Sequence, residues 1–352
     1  MDHFLPYKLK IARQMRGLSM EALTRRMGGL VTKQAISKYE QGRIQPTANV
    51  LTVLSTALDV PFSYFYKQGI RIDSINFRVD SRVPAKSYEQ MLGIAQDKVE
   101  HYLDIEELLA ISTSHTNPLK QQLISSAEDA ESAAVQLRTA WQLGELPIFS
   151  AYEILENKGV KLVEFEAGYK HVLGFSAWIN EQIPLVVINQ SANDTTERKR
   201  FTAFHELGHL FLQFPEVVTD SQRERLCNQF AAALLCPASV LLRELGTSRK
   251  VLTLEELISL RGRYGISIAA AIHRAKDLGV ISDAYYNNLF NCYIHKNPLE
   301  TGWGGYPIEE HTDRFDRLLC RCVAEGYLTS DEAAHYLKKK PKEYKRKLTL
   351  LL

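Results

Sequence analysis

The sequence predicts a mainly helical α+β chain: a five-helix N-terminal bundle, a helical linker, a domain with a small β-sheet, and a helical C-terminal region. Three observations point there. Apolar residues recur at helical spacing through most of the chain. β-Branched and aromatic runs are short and confined to the stretch after Pro147. Residues 1–70 hold ten Lys/Arg against four Asp/Glu, a net +6, whereas the rest of the chain sums to −4. A length of 352 residues exceeds the usual single-domain size. The boundaries fall at 1–70, 71–145, 146–290 and 291–352.

The composition, 45% hydrophobic and 24% charged, is that of a globular protein, and no stretch approaches the roughly 20 apolar residues a membrane span needs. The opening MDHFLPYKLK lacks the apolar run of a secretory signal, so no membrane association and a cytoplasmic location are expected. Five cysteines, an odd number without CxxC pairing, read as reduced thiols rather than a disulfide framework or a cysteine-only metal site.

In the first segment, LSMEALTRRMGG and VTKQAISKYEQGRIQPT form two short helices joined by a glycine turn, the pattern of a helix-turn-helix. Thr32 suits the N-cap of the second helix, and Ile36 with Leu23 and Met27 supplies a shared core. Lys33, Gln34, Ser37 and Lys38 then remain outside. Gln34 is placed for base edges, and Lys33, Lys38 and Arg43 for phosphates of double-stranded DNA. Such proteins commonly read two half-sites, which is compatible with a homodimer.

From 71 to 145, SYEQMLGIAQDKVEHYLDIEELLA and SSAEDAESAAVQLRTAWQLG keep helical spacing without an interior proline, predicting two long connecting helices. KLVEF, GFSAWI and PLVVIN then read as strands. Asp194 with Glu197 has capping-box spacing and opens a helix running to Gln213. The remainder is mainly helical to the basic run KKKPKEYKRK, a solvated tail by composition.

Within FTAFHELGHLFLQF, His205 and His209 stand four apart and so share one helical face. Two imidazoles can hold one zinc ion; a hydrolytic site adds a third protein ligand and leaves a position for water. Glu206 is placed to take that water's proton. Downstream the chain offers Glu216, Asp220 and Glu224 as third ligand. Glu224 is selected because it opens the helical ERLCNQFAAALL, with Asn228 four residues later to hydrogen-bond the far nitrogen of a ligand histidine. Tyr264, His273 and Arg274 are candidates for stabilising the oxyanion, and the GFSAWI strand is a candidate edge for an extended substrate.

The runs RKRFTAFHELGHLFL and ERLCNQFAAALLCP, with GFSAWINEQIPLVVIN upstream and SIAAAIHRAKDLGVIS downstream, resemble the ImmA/IrrE metallopeptidases over roughly residues 125–285. The resemblance implies a zincin-like fold, zinc, and His205, Glu206, His209 and Glu224 as the site. Gln213 stands where that family often has His, Cys227 where Ala is common, and Cys236 where Met is. AISKYEQGRIQPT is similar to the XRE, Cro/repressor-like, helix-turn-helix family, with Met20 replacing the usual Gln. Members of the peptidase family cleave repressor-type regulators in stress, prophage or mobile-element circuits. The resemblance thus implies a DNA-binding zinc metallo-endopeptidase acting on an XRE-type repressor. The alternatives are a zinc- or ligand-sensing regulator without turnover, or an antitoxin whose peptidase domain holds a partner.

Overall fold

The computed structural model describes residues 4–60, 62–66, 70–76, 85–111, 114–166, 172–192 and 194–337. The basic run KKKPKEYKRK lies outside the described residues. Four α-helices form the front bundle: α1 (Phe4–Met15), α2 (Met20–Arg26), α3 (Lys33–Glu40) and α4 (Ala48–Leu58). Each of α2, α3 and α4 starts on a hydroxyl cap, Ser19, Thr32 and Thr47, whose oxygen accepts a first-turn N–H. Leu23, Met27 and Ile36 are buried together with Leu9, Leu51 and Leu54. Where a fifth helix was expected, Phe62–Tyr66 is a 3-10 turn; five residues are too few to reward α-helix nucleation, and this tighter turn suffices to bury Tyr64 and Phe65.

The segment expected to be a helical linker begins instead with a strand, β1 (Ile72–Asn76), followed by α5 (Ala85–Leu108) and α6 (Ala127–Ala140). Ile72 and Ile75 pack beside Met91, Ala95 and Val99 of α5, so this short IDSIN stretch gains burial as a strand that a helix of five residues could not supply. Helix α7 (Ala151–Asn157) leads to β2 (Lys161–Phe165), β3 (Gly174–Ile179) and β4 (Ile183–Asn189). The sheet order is β1-β3-β4-β2, with β1 and β4 antiparallel to β3, and β2 parallel to β4.

Strand β4 is buried on both faces, and the pleat sorts its side chains. Leu185 and Val187 join α5, whereas Val186 and Ile188 join the core built on α8 (Thr196–Phe211). The sheet is therefore sandwiched between α5 and α8. Helix α8 opens on Thr195, whose side chain accepts from Arg198 N, and not on Asp194. Glu197 is drawn inward to Arg261 at 2.7 Å, so it is unavailable for a reciprocal cap.

Beyond α8 follow α9 (Asp220–Leu235), α10 (Ala238–Leu245), α11 (Leu254–Tyr264), α12 (Ile268–Asp277), α13 (Asp283–Leu289), α14 (Arg314–Ala324) and α15 (Ser330–Tyr336). The stretch between α13 and α14 straps α8 in place. Glu310 is 1% exposed, pairs with the fully buried Arg200 at 2.5 Å and accepts the N–H groups of Ala151 and Tyr152 at the start of α7. Glu300 likewise accepts from Ile268 and Ala269 at the start of α12. Both carboxylates satisfy orphan N–H groups and favourable helix dipoles. None of the five cysteines, all among the described residues, forms a disulfide. Among the described residues no single helix is long and apolar enough to cross a membrane.

Candidate metal centre

Helix α8 carries His205, Glu206 and His209, and α9 crosses it with Glu224 facing the two rings. His205 Nε2 and His209 Nε2 stand 3.1 Å apart. Each is 3.4 Å from one oxygen of the Glu224 carboxylate. Ligands held about 2.0–2.1 Å from a tetrahedral zinc lie about 3.3 Å from one another. The donor set therefore fits zinc in chemistry and in spacing, and it is the group of metal-competent side chains that the described residues bring together.

The polar atoms around it point the same way. Glu206 Oε2 and Ser176 Oγ are buried without a hydrogen-bond partner, an arrangement that costs free energy unless water beside a bound cation completes it. Burial pushes the Glu206 carboxyl up, against the opposing pull of His205 and His209. At His209 burial favours the neutral ring, but the contacts with Cys227 and Glu224 outweigh it and lift the imidazole to about 10. Burial likewise disfavours the Glu224 carboxylate, yet both histidines hold it well below the usual range. The pocket is built to enclose positive charge.

Two residues at the site were not anticipated. Cys227 Sγ lies 3.6 Å from His209 Nδ1 and takes the supporting role expected of Asn228. Asn228 is exposed and makes no contact with either ring nitrogen, because Cys227, three residues after Glu224, faces α8 while Asn228 turns outward. Gly208 makes this approach feasible: a Cβ there would sit 3.2 Å from Cys227 Sγ and 3.3 Å from Phe230 Cδ1. Ser176 of β3 stands near Glu206 and favours its charged form, although the two make no well-formed hydrogen bond.

The three oxyanion candidates are engaged elsewhere. Arg274 is 1% exposed and forms a bidentate pair with Glu131, at 2.8 and 3.0 Å. His273 contacts Tyr286 and Phe290, and Tyr264 is buried in the core. Each was drawn from amphipathic helices whose polar residues serve packing. The main-chain oxygen of Gln213 accepts from Ile124 N at 2.8 Å. The GFSAWI strand is not an edge, because β1 covers it.

On the front bundle, Lys33, Gln34, Lys38 and Arg43 are exposed along and just beyond α3, and Ser37 is half-buried, accepting from Gln41 at 3.2 Å. Arg13 fixes α1 to α3 through a bidentate pair with Glu40, at 2.6 and 2.8 Å. The outward face of α3 is thus a basic, polar surface on a rigid support.

Residues 155–276 match the family described as the IrrE N-terminal-like domain, a metallopeptidase family, and residues 9–65 match a helix-turn-helix family. No curated protein matches the chain. The chain joins an XRE-type helix-turn-helix domain to an IrrE-like peptidase domain.

Proposed function

We propose that this chain, with a DNA-binding-type head and a metallopeptidase-type body, is a cytoplasmic zinc endopeptidase that cleaves an XRE-type repressor and binds operator DNA through α3. The observation that carries the reading is the triangle of His205, His209 and Glu224 donors, 3.1–3.4 Å on each measured side, with Glu206 one residue from the first ligand. A bound zinc would polarise the scissile carbonyl and bring the pKa of a water to about 7.

The chain's own residues supply the proton path. Glu206, 7% exposed and raised in pKa by burial, accepts the proton of the attacking water and delivers it to the departing amide nitrogen. Ser176 stands beside that carboxylate and favours its charged form. Cys227 fixes the His209 ring so that Nε2 remains directed at the metal. On the head, Gln34 reads base edges while Lys33, Lys38 and Arg43 meet phosphates, beside Ser37.

The test is incubation of the zinc-loaded chain with a purified XRE-type repressor, beside Glu206→Gln. The variant is expected to retain zinc and lose cleavage by about a hundredfold or more. Equal cleavage by both proteins would remove Glu206 from the mechanism. Zinc binding without cleavage by either would favour the sensing reading.

A further inference from the structure

Strand β3 runs directly along the metal-bearing helix. Phe175, Ala177 and Ile179 face α5, so Gly174, Ser176 and Trp178 face the other way. A Cβ on Gly174 would meet Thr202 of α8 at 3.2 Å, and Ser176 stands at Glu206. A protein substrate bound in extended form by main-chain pairing needs a strand position beside the metal. One side of β3 is taken by β4, and β2 lies beyond β4 at the far end of the sheet. The free edges of the sheet are the outer sides of β1 and β2, but the strand position beside Ser176 and Glu206 is the outer side of β3, and Ile72–Asn76 fills it.

The register brings this internal strand to the level of the base: Ile72 opposes Ile179, Asp73 opposes Trp178, and Asn76 opposes Ser176. Its start is fastened from two directions. Arg71 N donates to Asn180 Oδ1 and Asn180 N donates to Arg71 O, both at 2.9 Å. Gln96 Nε2 donates to Ile70 O at 3.0 Å, while Gln96 Oε1 accepts from Tyr7 of the head at 2.9 Å. The strand lies between the two family-matched regions, 9–65 and 155–276.

We propose that the outer edge of β3 is the docking edge for an extended protein substrate, and that Ile72–Asn76 occupies it as an internal competitor that must leave before substrate can pair. The inference rests on the peptidase reading above, whose site it regulates. A tethered strand competes at an effective concentration on the order of millimolar, so its release raises apparent affinity without any new contact. Through Tyr7, Gln96 and Ile70, the position of the DNA-binding head bears on that release.

The test uses the full, zinc-loaded chain carrying Glu206→Gln, so that binding is read apart from hydrolysis, and Cys292→Ser with Cys320→Ser, so that exposed thiols do not interfere. The probe is a fluorescein-labelled synthetic peptide of sequence IRIDSIN, followed by anisotropy. In one protein Ile72→Cys and Ile179→Cys form a staple across β1 and β3; opposed residues of an antiparallel pair lie about 4.5–5.5 Å apart, within disulfide reach. In a second, prolines replace Ile72 and Asp73, one of which must donate to β3.

The oxidised staple is expected to abolish peptide binding and its reduction to restore it, and the proline variant to bind about tenfold or more tightly than the parent. Equal binding by oxidised and reduced forms, or binding by none of the proteins, would overturn the proposal. Should the proline variant lose zinc and fold, the staple decides alone. Peptide binding gated by β1, in a chain whose Glu206 form cleaves nothing, would retain the docking edge and refute the peptidase.

Discussion

His209 is gripped from both ends, by Glu224 at Nε2 and by the Cys227 sulfur at Nδ1, and the ring's orientation depends on both. Replacing Cys227 with Ala leaves Nδ1 without a partner in a buried place. Zinc affinity is expected to fall about 10-fold to 100-fold in chelator competition, the usual cost of losing such a support. Asn228→Ala, on the exposed side of α9, is expected to leave affinity unchanged. The reverse result would restore Asn228 to the supporting role. The i, i+4 histidine pair and its neighbouring Glu were legible because helical spacing alone puts them on one face. The support was not, since spacing from Glu224 admits both position 227 and position 228, and only the rotation of α9 against α8 separates them. A signal did exist in Gly208, a poor helix former inside the motif, which marks where another element comes close.

At the scale of elements, the strands after Pro147 were legible because their β-branched runs are pure, with β4 buried at six of seven positions. Strand β1 was hidden: IDSIN has only two apolar residues in five, and its stability comes from the following α5 and from β3, far away in sequence. The same tertiary override makes α7 sensitive to pH. Glu156, 4% exposed, lies 3.3 Å from the Tyr102 hydroxyl, and burial raises its pKa to about 7, against the pull of Arg314. A carboxyl with a raised folded-state pKa stabilises the fold fully below its unfolded value of about 4.3 and loses that contribution as pH rises through 7. About 4 kcal/mol is involved over the whole range, since one pKa unit is worth about 1.4 kcal/mol. Urea midpoints measured from pH 5 to pH 8 are expected to fall for the parent and to fall less for Glu156→Gln. Parallel curves would show that Glu156 is ionised throughout.

The whole molecule is joined through charge buried where sequence patterning predicts solvent. Lys8, within the amphipathic LPYKLKIARQ, is 1% exposed and pairs with Glu100 of α5, which is 8% exposed and also accepts from Gln96. Tyr7 reaches the same Gln96, so the contact of α1 with α5 is polar and satisfied at its centre. A buried pair of this kind fixes one docking geometry more than it adds stability, because both ions lose hydration to reach it. Removing one partner is a different matter. Lys8→Met leaves Glu100 buried without its cation, a change that costs about 3–5 kcal/mol. The cost falls mainly on the docking of the head, since within the head's own core Lys8 meets the Tyr64 ring, 4.7 Å from its centroid, and the Met side chain can still cover that ring while Leu9, Leu23, Ile36 and Leu54 keep their packing. Calorimetry is therefore expected to give one cooperative transition for the parent and two for Lys8→Met, the head separating from the body at the lower temperature. Adding Glu100→Gln removes the stranded charge and is expected to recover much of the lost coupling, so the double variant should lie nearer the parent than the single one. A single transition in Lys8→Met, merely shifted downward, would mean that head and body are coupled through other contacts and that this ion pair does not set their relation.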